Sequence, residues 1–377
     1  MIRSFESYPF EKLRVLFANS KIAEGLKPIA FTIGEPQFET PSFIQKELSY
    51  RTSSLNKYPK SAGEDALRES MLGFVAKNFS IELAHSELIP TLGTREVLFN
   101  FPQFLLHGEE NPLIAYPNPF YQIYEGAAKA SRANVYLMEL KESNGFKPDI
   151  DEFRKRAEKE KFHLVILNSP NNPTATTMSL DDLCEWAEMS RKYGFVLLND
   201  ECYNQIYLDK RPASLLEASI KIGNSSFENI IVVNSISKRS SAPGLRSGFI
   251  AGDANILIHY LQYRTYVGAT NGLPMQYAAA AAWSDEDHVI EARARYRRNF
   301  ELAREILGIK PPEATFYIWL KVGNGEAFAK RAYEEQALSV LPGEYLARGF
   351  AKEYVRIALV ENETVCEEGL RRLAKLI

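Results

Sequence analysis

The chain contains 377 residues, 45 of them Lys or Arg and 48 Asp or Glu, so its formal net charge is −3. Hydrophobic residues make up 45% of the sequence and charged residues 25%, which is typical of a globular protein with a substantial core. At roughly 100–200 residues per domain, this length predicts two domains, or one large domain with an appendage. A charge balance this close to neutral disfavours nucleic-acid binding, because such surfaces present clustered positive charge.

The sequence also disfavours membrane insertion and secretion. No apolar run approaches the roughly 18 residues that a bilayer-spanning helix needs, and residues 1–17 lack the apolar core of a signal peptide. Cys184, Cys202 and Cys366 are widely separated, odd in number and without metal-ligand spacing. We therefore expect a cytoplasmic protein without a metal site or a disulfide framework.

Short, nearly continuous apolar runs recur along the chain and are typical of parallel strands that are buried on both faces. The clearest are Pro112–Tyr116, Asn134–Met138, His163–Asn168, Phe195–Asn199, Ile230–Asn234 and Gly248–Ala251. Helical stretches alternate with several of them, such as Ser179–Tyr193, which has acidic residues in its first turn. This alternation predicts an α/β sheet covered on both faces, with ligands beyond the carboxyl ends of the strands.

The pattern changes to one long helix from Ser284 to Gly308, with acidic residues near its start and arginines after them. Beyond it we expect a strand over Thr315–Leu320, a helix around Glu326–Gln336 and a strand over Tyr354–Leu359. These elements indicate a second, smaller domain attached to the long helix.

The most informative stretch directly follows the strand Ile230–Asn234. It runs Ser235-Ile236-Ser237-Lys238 and continues with Gly244-Leu245-Arg246-Ser247-Gly248. A lysine among hydroxyl groups and an arginine is suited to form an imine with an aldehyde cofactor whose phosphate the neighbouring groups bind. The alternative is a solvated loop that contains two basic residues by chance.

Two further polar groups follow predicted strands. Asp200 ends the apolar run Phe195–Asn199, where a carboxylate either caps a helix or pairs with a protonated pyridine nitrogen. Asn172 lies in the segment Asn171-Asn172-Pro173-Thr174, which by itself is only a turn signal. Three strand ends thus supply an asparagine, an aspartate with Tyr203 nearby, and a lysine with an arginine.

Together these segments resemble the fold-type I aminotransferases of class I/II, which depend on pyridoxal 5′-phosphate (PLP). The family patterns are N-P-T-G, D-x-x-Y and S-x-S-K-x5-G-x-R-x-G, and the last is complete from Ser235 to Gly248. Ala175 stands where the family has glycine, which affects only the local turn. The resemblance implies a large domain with a mainly parallel seven-stranded sheet between helices, and a smaller α/β domain built from both termini. We place the boundaries at 1–45 (N-terminal arm and part of the small domain), 46–284 (large PLP-binding domain) and 285–377 (connecting helix and small domain).

The resemblance extends over nearly the whole chain. It places Gly34 of the segment Phe31–Pro36 at the substrate site, and Tyr58 across a homodimer interface at the cofactor phosphate of the partner subunit. Gly93, Thr94 and Arg95 begin a helix, where backbone N–H groups suit an anion, although an ordinary turn explains them as well. By the same resemblance, the ring of Tyr121 stacks on the cofactor.

Arg356 lies within the apolar strand Tyr354–Leu359, where a cation needs a partner. A structural ion pair is one explanation. The family instead uses this position to bind the α-carboxylate of the substrate through a bidentate contact.

The resemblance implies a consistent set of roles. Lys238 holds PLP through an imine and later moves a proton between the substrate Cα and the cofactor C4′. Asp200 keeps the pyridine nitrogen protonated, and Asn172 and Tyr203 donate hydrogen bonds to the ring O3′. The phosphate contacts come from the following residues: Gly93, Thr94, Arg95, Ser235, Ser237 and Arg246.

The amino donor is less defined by the sequence. Some related bacterial aspartate aminotransferases carry a lysine that contacts the distal substrate carboxylate at the position of Arg95, so glutamate and 2-oxoglutarate are expected as one pair. The segment Tyr8–Arg14 with Gly34-Glu35-Pro36 is similar to the N-succinyl-diaminopimelate aminotransferases of lysine biosynthesis. Aspartate or aromatic transamination is the alternative, and Arg95 has two others: phosphate binding, or a surface pair with Glu35 or Glu96.

Two other classes of function are compatible with parts of the sequence. A PLP-dependent C–S lyase would retain Lys238, Asp200, Tyr203 and Arg356 but eliminate a β-substituent. A ligand-sensing regulator of this fold generally adds a DNA-binding domain, for which a resemblance beginning near residue 31 leaves no room. Transamination is therefore the favoured reading.

Overall fold

The computed structural model describes residues 5–377, so the first four residues of the predicted arm 1–45 lie outside the described residues. The α-helices in this range are α1 (Pro9–Phe17), α2 (Ser42–Tyr50), α3 (Asp65–Phe79), α4 (Thr94–Leu105), α5 (Ile123–Ala130), α6 (Ile150–Ala157), α7 (Leu180–Tyr193), α8 (Leu215–Lys221), α9 (Ile236–Arg239), α10 (Ala254–Val267), α11 (Leu273–Ser284), α12 (Asp287–Leu307), α13 (Gly325–Gln336) and α14 (Glu363–Leu373). The strands are β1 (Ile29–Ala30), β2 (Leu88–Thr91), β3 (Leu113–Asn118), β4 (Asn134–Glu139), β5 (Leu164–Asn168), β6 (Val196–Asp200), β7 (Ile230–Ser235), β8 (Gly248–Gly252), β9 (Tyr317–Lys321), β10 (Leu338–Ser339), β11 (Leu341–Pro342) and β12 (Tyr354–Ala358). No helix within residues 5–377 is both long enough and apolar enough to span a bilayer.

Seven strands form the large sheet in the order β2-β8-β7-β6-β5-β3-β4, and β3 to β7 are mutually parallel. The register aligns Asn168 of β5 with Asp200 of β6, and Asp200 with Val233 of β7. The mainly parallel seven-stranded sheet predicted by the resemblance is thereby confirmed. Because the strands run the same way, their carboxyl ends meet at one edge of the sheet.

The prediction that Gly248–Ala251 is a parallel strand is wrong, because β8 runs antiparallel to both β7 and β2. Residues 236–247 connect β7 to β8 through the four-residue helix α9 and do not cross a face of the sheet. A parallel neighbour requires a longer crossover back to the amino edge. The apolar pattern could not reveal the direction, since β8 is buried throughout like its parallel neighbours.

Helices cover both faces of this sheet, as the alternation of strands and helices predicts. Val165 and Leu167 of β5 belong to one apolar cluster, with Trp186 of α7. Leu164 and Ile166 belong to the cluster on the opposite face. Every residue of β5 is buried, which explains its uninterrupted apolar sequence.

Two smaller sheets involve the terminal parts of the chain. Strands β11, β12 and β9 form an antiparallel sheet, and β1 pairs in parallel with β10. Ile29 and Phe31 near the N-terminus pack with Phe300, Ile357 and Leu370 near the C-terminus. Residues from both ends therefore share one apolar core, while the exact domain boundaries stay a prediction.

The predicted long helix from Ser284 to Gly308 is confirmed as α12, which begins slightly later than predicted. Helix α11 ends at Ser284, and α12 begins at Asp287 and ends before Gly308. Asp285 between them is extended, and its carboxylate accepts a hydrogen bond from the backbone N–H of His288 at 3.1 Å. An aspartate that caps a helix in this way favours a non-helical backbone at its own position.

A buried ion pair fixes the start of α4 against α10. The guanidinium of Arg264, which is fully buried, donates to both carboxylate oxygens of Glu96 at 2.9 and 3.0 Å. It also donates to the carbonyl oxygens of Pro90 and Ala269. The carboxylate of Glu96 accepts the backbone N–H of Leu92 as well, so this pair orders the turn between β2 and α4.

We expect Glu96→Gln to lower the free energy of unfolding by about 3–5 kcal/mol, because the substitution leaves the buried guanidinium of Arg264 without a counter-charge. Urea denaturation monitored by circular dichroism measures the loss. The control is Glu334→Gln, which removes a half-exposed pair with Lys330 and should cost far less. Equal losses in the two variants would contradict a stabilising role for the buried pair.

Candidate active site

A cavity of about 530 Å³ lies beyond the carboxyl ends of β5, β6 and β7. Most of the residues predicted for the site line it: Gly34, Thr94, Arg95, Tyr121, Asn172, Asp200, Tyr203, Ser235, Ser237, Lys238, Arg246 and Arg356. Of the other two, Gly93 is buried and does not line the cavity, whereas Tyr58 is fully exposed and does not reach the cavity of its own chain. Residues from almost the full length of the chain thus meet at one place.

Lys238 enters the cavity from α9, immediately after β7. Ser235 caps this short helix, since its hydroxyl oxygen accepts the backbone N–H of Ser237 at 3.0 Å. The ammonium group of Lys238 donates to the backbone carbonyl of Gly34. Burial lowers the pKa of Lys238 to about 8, so a neutral, nucleophilic amine is accessible near neutral pH.

Asp200 is a buried carboxylate at the end of β6. One oxygen accepts the hydroxyl of Tyr124 at 3.0 Å, and the other accepts the backbone N–H of Cys202 at 3.2 Å. Burial raises the pKa of Asp200, while these hydrogen bonds and the charge of Lys238 act in the opposite direction. Among residues 5–377, no cationic nitrogen lies within 4 Å of this carboxylate. The arrangement therefore suits a ligand that brings its own N–H⁺ group.

Arg356 of β12 is a buried cation at the same cavity as the carboxylate of Asp200, with only 4% of its surface exposed. Its guanidinium donates to Asn172 Oδ1 at 2.8 Å and to the carbonyl of Thr32 at 2.6 Å, and its buried Nε has no partner among residues 5–377. No carboxylate oxygen of the described chain lies within 4 Å of it, so the structural ion pair considered from the sequence is not present there. An unpaired guanidinium at a cavity is suited to bind an anion.

Asn172 is fixed by the same contact. Its Oδ1 accepts from Arg356, and its backbone N–H donates to Asn168 Oδ1 at 2.8 Å. Its Nδ2 has no hydrogen-bond partner within residues 5–377 and lines the cavity. This amide is therefore available as a donor to a bound molecule.

Tyr317 was not predicted as a site residue, although it lines the cavity beside Tyr203. The two hydroxyl groups are 2.9 Å apart, and the ring of Tyr317 lies 4.4 Å from the guanidinium carbon of Arg356. A side chain at position 34 would collide with it, because a Cβ on Gly34 would lie 1.8 Å from the Tyr317 hydroxyl. The sequence signal was a single tyrosine in the otherwise apolar segment Thr315–Leu320.

Hydroxyl groups and one guanidinium form a polar cluster on another wall. The side chains of Ser235 and Ser237 are 2.8 Å apart, and Arg246 lines the cavity near them. Gly93, at the start of α4, has a positive φ of 74°, and a Cβ there would lie 2.6 Å from Arg246 Nη2. Glycine thus allows the helix start and the guanidinium to approach each other, an arrangement that fits a phosphate group.

Arg95 lies at the exposed mouth of the cavity. Its Nε donates to the hydroxyl of Tyr121 at 2.9 Å. The carboxylate of Glu96 instead forms an ion pair with Arg264, which rules out the surface pair between Arg95 and Glu96. Tyr8, Phe10 and Ile33 complete the mouth. Tyr8 and Phe10, at the start of α1, are placed there because Leu13 of α1 packs against residues of the C-terminal part of the chain: Leu341, Tyr345 and Leu346.

The comparisons with known proteins agree with this geometry. Aminotransferase AspB from Helicobacter pylori 26695 is 49% identical, and its crystal structure superposes with a TM-score of 0.95 over 99% of both chains. LL-Diaminopimelate aminotransferase from Desulforudis audaxviator is 28% identical, and the match spans 99% of this chain and 96% of that protein. The 4-dedimethylamino-4-oxo-anhydrotetracycline transaminase OxyQ from Streptomyces rimosus is 29% identical over 93% of each chain.

A sequence profile of the family described as "Aminotransferase class I and II" matches residues 27–373, nearly the whole chain. Its members are PLP-dependent, and the amine, the unpaired carboxylate and the hydroxyl–guanidinium cluster of the cavity are the groups that such a cofactor requires. The protein belongs to the class I and II aminotransferases and is a PLP-dependent transaminase of the aspartate aminotransferase-like fold.

Proposed function

We propose that this aminotransferase uses glutamate and 2-oxoglutarate as one substrate pair, with N-succinyl-L,L-diaminopimelate as the other amino donor. The observation that carries the proposal is a pair of guanidinium groups, Arg356 deep in the cavity and Arg95 at its mouth. Neither has a carboxylate within 4 Å among residues 5–377. Substrates with an anionic group at each end would complement both cations.

For the cofactor, we propose that Lys238, Asp200, Asn172 and Tyr203 contact the reactive ring and that Tyr121 stacks on it. Asp200 would accept the pyridine N–H⁺, since no cationic nitrogen of the described residues lies within 4 Å of its carboxylate. The free Nδ2 of Asn172 would donate to the ring O3′. The phosphate would bind to the remaining predicted residues: Gly93, Thr94, Ser235, Ser237 and Arg246.

PLP supplies an aldehyde that exchanges amines and a ring that withdraws electrons from the substrate Cα. In the proposed mechanism the neutral form of the Lys238 amine, which is accessible because burial lowers its pKa to about 8, moves the proton at Cα. Arg356 holds the α-carboxylate and thereby orients the Cα–H bond towards Lys238 Nζ. Gly34 allows the Tyr317 hydroxyl to lie close to the backbone at this side of the cavity, because a Cβ there would collide with it.

The likeness to LL-diaminopimelate aminotransferases supports a diaminopimelate-type donor and a place in lysine biosynthesis. Aspartate or aromatic transamination is the second candidate. The aromatic option is supported by the side chains of Tyr8, Phe10 and Ile33, which make one side of the mouth apolar. A screen of single amino donors, which follows the loss of the cofactor absorption band, distinguishes these substrates.

We also propose a cytoplasmic homodimer. Tyr50, Leu55 and Tyr58 are exposed large side chains close together in the sequence, which supports a contact with a second copy. In such a dimer Tyr58 would reach the cofactor phosphate of the partner subunit. Light scattering measures the mass, and PLP affinity of Tyr58→Phe measures the contribution of this hydroxyl.

The rate at which ligand-free protein captures PLP should rise with pH up to about 8 and then level off. Only the neutral amine attacks an aldehyde, and below its pKa the neutral fraction grows about tenfold per pH unit. Borohydride reduction and peptide mapping measure the adduct at Lys238, and Lys238→Ala is the control. A rate that keeps rising to about pH 10, as for an ordinary lysine, would contradict the lowered pKa.

Arg356→Gln should weaken all amino-acid substrates by roughly 2–5 kcal/mol, because every one carries the α-carboxylate. The measurement is kcat/KM for several donors, with PLP retention checked by absorbance. If all values remain within a factor of about two of wild type, Arg356 serves only the structure.

Arg95→Ala should harm glutamate and 2-oxoglutarate selectively, by about 1.5–3 kcal/mol or roughly 10–150-fold, because a charge-assisted hydrogen bond to the distal carboxylate is lost. Alanine, an uncharged donor, lacks that group and should be spared. Comparing kcat/KM for the two donors in wild type and variant gives the ratio.

Equal losses for both donors, together with weaker PLP binding, would assign Arg95 to the cofactor phosphate instead. If kcat/KM is unchanged for both amino donors, Arg95 binds neither substrate nor cofactor, and its role is limited to the hydrogen bond with Tyr121.

A further inference from the structure

A network of buried polar side chains lies beneath the cavity and does not line it. Asn199, Glu201, Asn204 and Asn234 are each at most 2% exposed. We refer to these four side chains, with the backbone N–H groups of Ser169 and Ser235, as the amide network. The roles proposed above do not use any of its side chains.

One arm of the amide network starts at the end of β7. The backbone N–H of Ser235 donates to Asn234 Oδ1 at 2.7 Å, and Asn234 Nδ2 donates to Asn204 Oδ1 at 3.1 Å. Asn204 Nδ2 then donates to Glu201 Oε2 at 3.3 Å. This arm begins three residues before Lys238.

The other arm starts just after β5. The backbone N–H of Ser169 donates to Asn199 Oδ1 at 3.1 Å, and Asn199 Nδ2 donates to Glu201 Oε1 at 3.1 Å. This arm begins three residues before Asn172, and Glu201 itself follows Asp200. The two arms therefore connect the three strand ends from which the cofactor-binding residues project.

The direction of every hydrogen bond in the amide network is fixed. A backbone N–H can only donate, so each asparagine must present its oxygen to that side and its NH₂ group to the next. Both arms consequently deliver an N–H group to Glu201, which also accepts from Leu215 N at 2.8 Å and Ser214 Oγ at 3.1 Å. Three of these donors reach Oε1 and Asn204 reaches Oε2, so both oxygens face donors, which favours a group that accepts and does not donate.

The ionised carboxylate is such a group, whereas a carboxylic acid would turn its O–H towards donors. Burial raises the pKa of Glu201 to about 7, and the hydrogen bonds from Leu215, Ser214 and Asn199 act against that rise. A buried carboxylate with this many donors is consistent with a role in fixing the structure around it.

We propose that Glu201 is a positioning residue, which sets the relative placement of the strand ends that carry Asn172, Asp200 and Lys238 by accepting both arms of the amide network. The proposal rests on the cofactor roles assigned above. It predicts that the affinity for PLP depends on the donor-to-acceptor direction of the hydrogen bonds in the amide network, and not only on the packing of its side chains.

Two single substitutions break the network by reversing one group. Glu201→Gln places an NH₂ group against the NH₂ group of Asn204, because its oxygen is retained by the other three donors. Asn204→Asp places a carboxylate oxygen against Glu201 Oε2. In the double variant E201Q/N204D, the new amide NH₂ group at position 201 faces a carboxylate oxygen at position 204, so a donor again meets an acceptor. The carboxylate at position 204 can still accept from Asn234 Nδ2.

The experiment measures the dissociation constant of PLP and the absorption maximum of the Lys238-bound cofactor, at about pH 8, for wild type and the three variants. We expect each single variant to bind PLP at least about tenfold more weakly with an altered spectrum, as for a buried polar group left unpaired. The double variant should return to within about threefold of wild type.

The matched control is Glu217→Gln. The carboxylate of Glu217 accepts the backbone N–H of Ser214 and pairs with Arg211, so it supports the start of α8 without contacting the asparagines. This variant should lose thermal stability and keep its PLP affinity and spectrum. A merely structural Glu201 would behave in the same way as this control.

Single variants that bind PLP like wild type, or a double variant as weak as the singles, would overturn the proposal. Should E201Q fail to fold, Asn234→Ala tests the same arm by removing the link between Asn204 and Ser235, and unaltered PLP binding would again overturn it. A wild-type protein that does not bind PLP would refute the cofactor roles together with this proposal, which distinguishes the two failures.

Discussion

Asp200 and Arg356 are opposite charges that are buried at one cavity and are not neutralised by the described part of the chain. Holding an unpaired charge away from water is costly, and within residues 5–377 the direct hydrogen-bond partners of each are neutral groups. Molecules that supply the missing charges, a protonated ring nitrogen for Asp200 and a carboxylate for Arg356, would relieve this cost. Because Asp200 and Arg356 line the same cavity, a bound cofactor and a bound substrate could pair with both charges at the same time.

The two charges come from different sheets, and Asn172 links Arg356 to Asn168 at the end of β5 in the large sheet. Arg356 projects from β12 of the small antiparallel sheet, and Asp200 ends β6 of the large sheet. Asn172, after β5, accepts from Arg356 and keeps its NH₂ group free towards the cavity. A single hydrogen bond at 2.8 Å thus aligns the proposed carboxylate site with the proposed cofactor site. Below them, the amide network connects the same strand ends through Glu201.

Much of the site was predictable from local sequence because a parallel sheet brings its carboxyl ends together. Lys238, Asp200 and Asn172 each directly follow or end a recognisable apolar strand, so their proximity required only the correct order of strands. The contact between Tyr203 and Tyr317 spans 114 residues, and that between Arg356 and Asn172 spans 184. No local pattern encodes such pairs, which is why Tyr317 was missed. The direction of β8 was predicted wrongly for a related reason, since burial on both faces gives the same apolar pattern in either direction.

The sequence by itself determined the fold class, the family and the identity of most side chains at the cavity, because these depend on apolar periodicity and on contiguous motifs such as Ser235–Gly248. The tertiary structure alone decided which charges lack partners and which hydrogen bonds run in one direction only. It showed that Glu96 is engaged by Arg264, so that it does not pair with Arg95, and that two arms of asparagines converge on Glu201. The physical reason is that the free energy of a buried charge or hydrogen-bond donor depends on the groups that surround it. Folding brings those groups together from distant parts of the chain.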